Sequence, residues 1–238
     1  MKVDILAVGV HPDDIELSCA GTLLSQLNRG YSVALCDMTQ GELGSRGSGP
    51  LRLEEAEAAR KIFGVKHREN LGLADGFFQK DEKSLKALIE VIRVYQPDIV
   101  LANAIADRHT DHGKAADFIK EACFLSGLIK IETQRNGQVQ QAWRPQAVYH
   151  YIQDYYHHPD FIVDISPYFQ KKVETILAYS SQFYNPKSDE PETPISTKGF
   201  MDFIEGRARQ FGRLIGVEYG EGFTTSRPIG VTDLKSFL

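Results

Sequence analysis

Val3-Asp4-Ile5-Leu6-Ala7-Val8-Gly9-Val10 runs directly into His11-Pro12-Asp13-Asp14. The run is short, rich in β-branched residues and almost wholly apolar, which predicts a strand buried on both faces. Helical spacing takes over at once: Ile15, Leu17, Leu23, Leu24 and Leu27 predict a helix over 14–29, with Gly30 as its stop. A second buried strand is expected over 31–38 (YSVALCDM), then a long mobile loop over 40–50 (QGELGSRGSGP). A helix over 51–63 stopped by Gly64, a strand over 67–71, a helix over 82–95 and a strand over 98–102 continue the series. Strand and helix in alternation make a parallel sheet of right-handed βαβ units, so the expected class is α/β.

After a polar loop at 103–110 a helix is expected over 111–127, followed by strands at 147–152 and 161–164 and helices over 167–181 and 199–214. Three prolines and several charges make 185–194 a surface loop. The expectation is one α/β domain over 1–238 with a smaller C-terminal elaboration.

The 238 residues are 42% hydrophobic and 25% charged, the ordinary globular range, which excludes disordered and fibrous classes. Lys and Arg number 27 against 32 Asp and Glu, a net charge of −5 that provides no bulk field for nucleic acid or an anionic membrane. Cys19, Cys36 and Cys123 form no CxxC pair and no disulfide framework, which suits a reducing compartment. The first residues lack the pattern of a typical signal peptide, and no apolar run is long enough to span a bilayer. A cytoplasmic protein is expected.

Ligands of an open parallel sheet bind beyond the carboxyl ends of its strands. His11-Pro12-Asp13-Asp14-Ile15-Glu16 stands at such an end, with Asp14 opening the next helix. The two acids also suit a plain helix cap. Asp107-Arg108-His109-Thr110-Asp111-His112-Gly113 follows the strand at 98–102 and opens on the same edge. By itself that segment suits a polar helix start capped by Thr110. Two such clusters at strand ends instead point to chemistry. His11, Asp14 and His112 supply three nitrogen and oxygen donors, as in a catalytic zinc site, or in an iron site for oxygen chemistry. Asp13 beside them is placed to take a proton and His109 to stabilise or protonate what forms. Gly9 stands without the other glycines of a dinucleotide fingerprint, and acids there would repel a pyrophosphate. Glu16 suits a structural hydrogen bond as well as a catalytic role. His67, His150, His157 and His158 lack a spaced partner.

The first motif, with Gly21-Thr22 after it, resembles the signature of the zinc-dependent PIG-L/LmbE-like de-N-acetylases, and Arg108–Gly113 resembles their second motif. Thr39–Gly44, Leu51–Ala56, Asn70–Gly76, Ser181–Phe183 and Tyr219–Phe223 extend the likeness nearly end to end. Within the family these stretches are most similar to the type 1 bacillithiol biosynthesis deacetylases. The resemblance implies a Rossmann-like fold, a divalent zinc (Fe2+ remaining open) and hydrolysis of an N-acetyl group from a glucosamine unit. It places His11, Asp14 and His112 on the metal, Asp13 as general base, His109 as acid or oxyanion partner and Asp111 as the group orienting His109. It puts Arg52 and Arg108 in the substrate pocket and implies a hexamer. Thr110 stands where relatives often carry Pro.

Two guanidinium groups are not needed by a neutral acetamide, so an acidic aglycone is expected, N-acetylglucosaminyl malate being the candidate. Structural ion pairs of these arginines with Glu42, Glu54 or Asp107 are the competing expectation. Other functional readings are deacetylation of a chitobiose-type sugar, an iron oxygenase and a non-catalytic sugar- or nucleotide-binding module.

Overall fold

The computed structural model describes residues 2–237. In chain order its elements are β1 (Ile5–Gly9), α1 (Asp14–Asn28), β2 (Val33–Thr39), α2 (Gly49–Phe63), β3 (His67–Leu73), α3 (Glu82–Tyr95), β4 (Ile99–Ala102) and α4 (Thr110–Leu125). A small hairpin, β5 (Gln134–Arg135) and β6 (Gln138–Val139), precedes β7 (Ala147–Tyr151), β8 (Phe161–Asp164), α5 (Phe169–Leu177), α6 (Phe200–Ile215) and β9 (Gly220–Thr225). The expected α/β class, a largely parallel sheet flanked by helices, is what the chain adopts.

The main sheet has the order β3-β2-β1-β4-β7-β9-β8. The first five strands are parallel, and β9 pairs antiparallel with both β7 and β8. Alternation along β1 explains the layering. Leu6 and Val8 pack with residues of α3 and α4, while Ile5 and Ala7 pack with Ile15, Cys19 and Leu23 of α1 and Phe63 of α2. All five β1 residues are buried, as a run without polar alternation requires.

Local signals set most helix ends. Ser48 accepts the Leu51 N–H at the start of α2, and Gly64 closes that helix at φ 75°. Asp81 caps α3 through the Ser84 N–H. The segment expected as a mobile loop is stitched down: Gly44 N–H donates to the Gly41 carbonyl and Leu43 N–H to Asp75. The sequence pattern does not mark β9 as a strand. It lies inside the sheet, so the C-terminal segment extends the same layer as β1 to β4.

Candidate active site

β1 and β4 are hydrogen-bonded neighbours, yet the chain leaves them in opposite directions, β1 toward β2 and β4 toward β7. Such a reversal opens a crevice at the strand ends. Residues 11–16 and 107–113, the two predicted segments, enter it from either side. Gly9 is needed at the turn, because a Cβ there would stand 3.0 Å from that of Asp14.

Asp14 lies at the centre. Its Oδ2 accepts the His11 backbone N–H at 2.9 Å and its Oδ1 stands 3.1 Å from His112 Nε2. His11 Nδ1 is 3.8 Å from Asp14 Oδ2. Behind each imidazole is a further carboxylate: Asp75 Oδ1 is 3.0 Å from His11 Nε2, and Asp107 Oδ2 hydrogen-bonds His112 Nδ1. These rear contacts turn His11 Nδ1 and His112 Nε2 toward Asp14, the arrangement by which metal-binding histidines are usually oriented. Nitrogens of His11, His109 and His112 also lie within 4.8 Å of one another, as do donor atoms of His11, Asp75 and Asp111. Two imidazoles and a carboxylate, each oriented from behind, fit a divalent ion.

Electrostatics separates the two adjacent acids. Burial pushes Asp14 up, but His112 and His11 outweigh it and hold its carboxyl well below the usual range. Burial pushes Asp13 up to about 7 even against the neighbouring Arg52. Burial disfavours charge on His11 and His112, yet the facing carboxylates raise them to about 9 and about 10. His109, desolvated and beside both of those rings, is lowered.

Asp13 does not serve as a side-chain cap. Its backbone is left-handed at φ 108°, an uncommon conformation for a non-glycine residue, and its carboxylate makes no hydrogen bond to the α1 N–H groups. Instead Oδ2 accepts from Arg52 Nη2 at 2.9 Å. Arg52 also donates to the carbonyls of Pro12 and Gly41. Gly41 sits at φ 64°, and the guanidinium occupies the space where a Cβ would be.

The second motif differs in detail from expectation. The α4 cap is His109, whose Nδ1 accepts the Asp111 N–H at 3.3 Å, and Thr110 is already the first helical residue. The Asp111 carboxylate does not orient His109. It accepts the Gly76 N–H at 3.0 Å and stands 3.6 Å from His11 Nε2. The Asp111 main chain holds His109 instead, leaving Nε2 as the ring's donor in the neutral tautomer. The rings of His11 and His109 meet edge to face at 4.7 Å.

The two predicted arginines part company. Arg52 is buried on Asp13, whereas Arg108 is 38% exposed and pairs with Asp154. Neither takes Glu42, Glu54 or Asp107. Both line a cavity of about 470 Å³ that also holds His11, Asp13, Asp14, His109 and His112. Leu17, Ile152, Phe200, Phe203, Ile204 and Phe211 form its apolar wall. Glu16 stays outside it, fully buried against Arg68, which also grips both oxygens of Asp37 at 2.7 and 2.8 Å.

Asn103, Gln153 and Arg207 were missed by sequence reasoning. Asp75 entered it only within a family-like stretch, and Asp107 only as the first residue of the second cluster and as an ion-pair partner, with no role of its own. They come from four stretches of chain, and all but Asp107 lie outside the two motifs, so spacing within either motif carries no sign of them.

Residues 6–123 match the family model described as GlcNAc-PI de-N-acetylase. The chain is 28% identical to the diacetylchitobiose deacetylase of Thermococcus kodakarensis over 229 residues, covering 92% of this chain and 81% of that one. It is similar to the crystal structure of the conserved protein TT1542 from Thermus thermophilus, at 31% identity, a TM-score of 0.85 and 98% coverage of both chains. The 4-carboxy-2-hydroxymuconate hydratase GalB of Pseudomonas putida has a TM-score of 0.79 over 98% of this chain and all of its own. At 21% identity that likeness speaks for the fold alone. No helix among the described residues is long and apolar enough to cross a membrane.

Proposed function

Because the chain belongs to the PIG-L/LmbE family and is a hydrolytic N-deacetylase, we propose that it deacetylates an N-acetylglucosaminyl conjugate with an acidic aglycone. N-acetylglucosaminyl L-malate, as used in bacillithiol biosynthesis, is the candidate, and acetate and the free amine are the products. His11, Asp14 and His112 would hold the zinc ion. Bound there, zinc supplies a Lewis acid that polarises a carbonyl and brings the pKa of water toward neutrality.

The chain's own groups divide the remaining work. Asp13 accepts a proton from the attacking water, a role open to it because it neither caps α1 nor shares the contacts of Asp14. Arg52 fixes the Asp13 carboxylate and keeps its second oxygen available. His109 Nε2–H donates to the carbonyl oxygen as negative charge develops there. As the amide C–N bond breaks and the new C–O bond persists in acetate, the departing nitrogen takes up a proton through His109, the imidazole that lines the cavity outside the Asp14 group. The proton that Asp13 took from water restores His109 to its neutral form.

The observation that carries this reading is the split between neighbouring acids, Asp14 enclosed by two imidazoles and Asp13 facing a guanidinium. A non-catalytic sugar-binding module would need neither arrangement. An iron oxygenase is set aside with the family. For the aglycone, the support is Arg108 at the cavity rim, satisfied by one half-exposed carboxylate and free to exchange it for a substrate acid. The archaeal relative favours a second reading, a neutral chitobiose-type substrate lying along the apolar wall. Amine release from N-acetylglucosaminyl malate, diacetylchitobiose and N-acetylglucosamine, measured side by side, separates them. Higher kcat/KM on the malate conjugate is expected, and a preference for the neutral disaccharide would replace it.

A further inference from the structure

The Asp14 carboxylate is gripped by two neutral amides that come from different strands. Asn103, fully buried at the end of β4, donates from Nδ2 to Asp14 Oδ2 at 2.9 Å. Gln153, just past β7, donates from Nε2 to Asp14 Oδ1 at 3.0 Å. Each oxygen of Asp14 therefore has one amide donor of its own, and the carboxylate cannot turn about its last bond without losing both.

The amides in turn have one admissible orientation. Gln153 Oε1 accepts from the Ala104 N–H at 3.1 Å and from Asn103 Nδ2 at 3.0 Å. An oxygen is required at that position, so the NH2 end must face Asp14. Asn103 Oδ1 accepts the Val10 N–H at 3.0 Å, which sets its flip in the same way. The segment that carries Gln153 is clamped from outside, for Arg207 of α6 donates to the main-chain carbonyls of Gln153 and Asp154. His150 donates to the Asn103 carbonyl at 2.8 Å.

A lysine or arginine in place of these amides would also hold Asp14, but its charge would oppose a cation held by the same carboxylate. Neutral donors orient the oxygens without that repulsion. We propose that Gln153, locked in place by Asn103, is the positioning residue that aims Asp14 at the divalent ion and thereby sets metal affinity. This rests on the reading of Asp14 as a ligand. Removing an outer partner of a metal ligand typically weakens binding about 10- to 100-fold.

The test titrates metal-free protein with Co2+, followed by its visible absorption, and with Zn2+ against a chromophoric chelator. Gln153→Leu is compared with the unaltered chain, and Gln153→Met takes its place if the first variant fails to fold. The expected result is a Kd about 10- to 100-fold weaker and a changed Co2+ spectrum in a metal-free protein that still folds. A Kd within about twofold of the parent overturns the inference, whatever happens to kcat or KM, because Gln153 would then serve substrate or fold only. If the parent itself binds no divalent ion, the reading of Asp14 as a ligand falls along with the inference. Tight binding by the parent and an unchanged variant removes the inference alone.

Discussion

The crevice between β1 and β4 and the wall built by α6 and β9 border the same cavity but are made on opposite plans. In the crevice every ionisable side chain meets a polar partner: His11 meets Asp75, His112 meets Asp107, and Asp13 meets Arg52. The wall presents Phe200, Phe203, Ile204, Ala208 and Phe211 at helical spacing along one face of α6, where Arg207 is the one charged residue that α6 brings to the cavity. A polar network of this density tolerates few exchanges, since each removed partner strands a buried group. An apolar wall can be reshaped one side chain at a time. On the proposed function, chemistry is fixed by the crevice, and choice of substrate is left to the wall and rim.

Removing a donor from the crevice has the largest expected effect. His11→Ala or His112→Ala takes away one of three protein donors, so elemental analysis should find the site empty and acetate release should fall below detection. Full metal content in either variant would remove that histidine from the set. Next comes Arg52→Gln, which leaves the Asp13 carboxylate without its charged partner. Metal should be retained while kcat falls roughly 10- to 100-fold, equally on the malate conjugate and on N-acetylglucosamine, the scale of a lost charge-assisted hydrogen bond.

Arg108→Ala sharpens the contrast, because this arginine belongs to the rim. Its KM should rise roughly 10- to 100-fold for the malate conjugate and much less for N-acetylglucosamine. Equal losses on both would mean that Arg108 shapes the site without reading an acid. The smallest effect is expected in the wall. Phe203, with the Arg207 guanidinium 4.9 Å above its ring, should on truncation to Ala raise KM about fivefold, the worth of roughly 1 kcal/mol, at unchanged metal content. A collapse of kcat in Phe203→Ala would show that wall and crevice are not separable.

The same division governs what the sequence discloses. β1 and the helix after it are legible because a strand buried on both faces must be apolar throughout and the following helix changes period at once. His11, Asp13, Asp14, His109 and His112 are legible because they crowd into two short segments at strand ends. Asp75, Asn103 and Gln153 hold those residues in place, yet each is a single polar side chain whose meaning depends on a partner 50 or more residues away.

β9 hides for a different reason. Gly220 and Gly222 interrupt any hydrophobic run, and they are there because a Cβ would meet Ile162 at 2.7 Å or Phe211 at 3.0 Å. Close packing against α6 and β8 erases the pattern that would announce the strand. Thr110 suits a cap by residue type, whereas the cap falls to His109, whose Nδ1 accepts the Asp111 N–H.

The central claim is that two consecutive aspartates do different work, and one paired measurement tests it. Asp13→Asn and Asp14→Asn change the same atoms one residue apart, so metal content and kcat of the two proteins are compared directly. Asp13→Asn should hold metal at the parent's stoichiometry and lose about 10²- to 10⁴-fold in kcat, the scale of general-base catalysis. Asp14→Asn should lose the metal itself. Near-normal turnover in metal-replete Asp13→Asn, or full and tight metal binding in Asp14→Asn, would contradict the account.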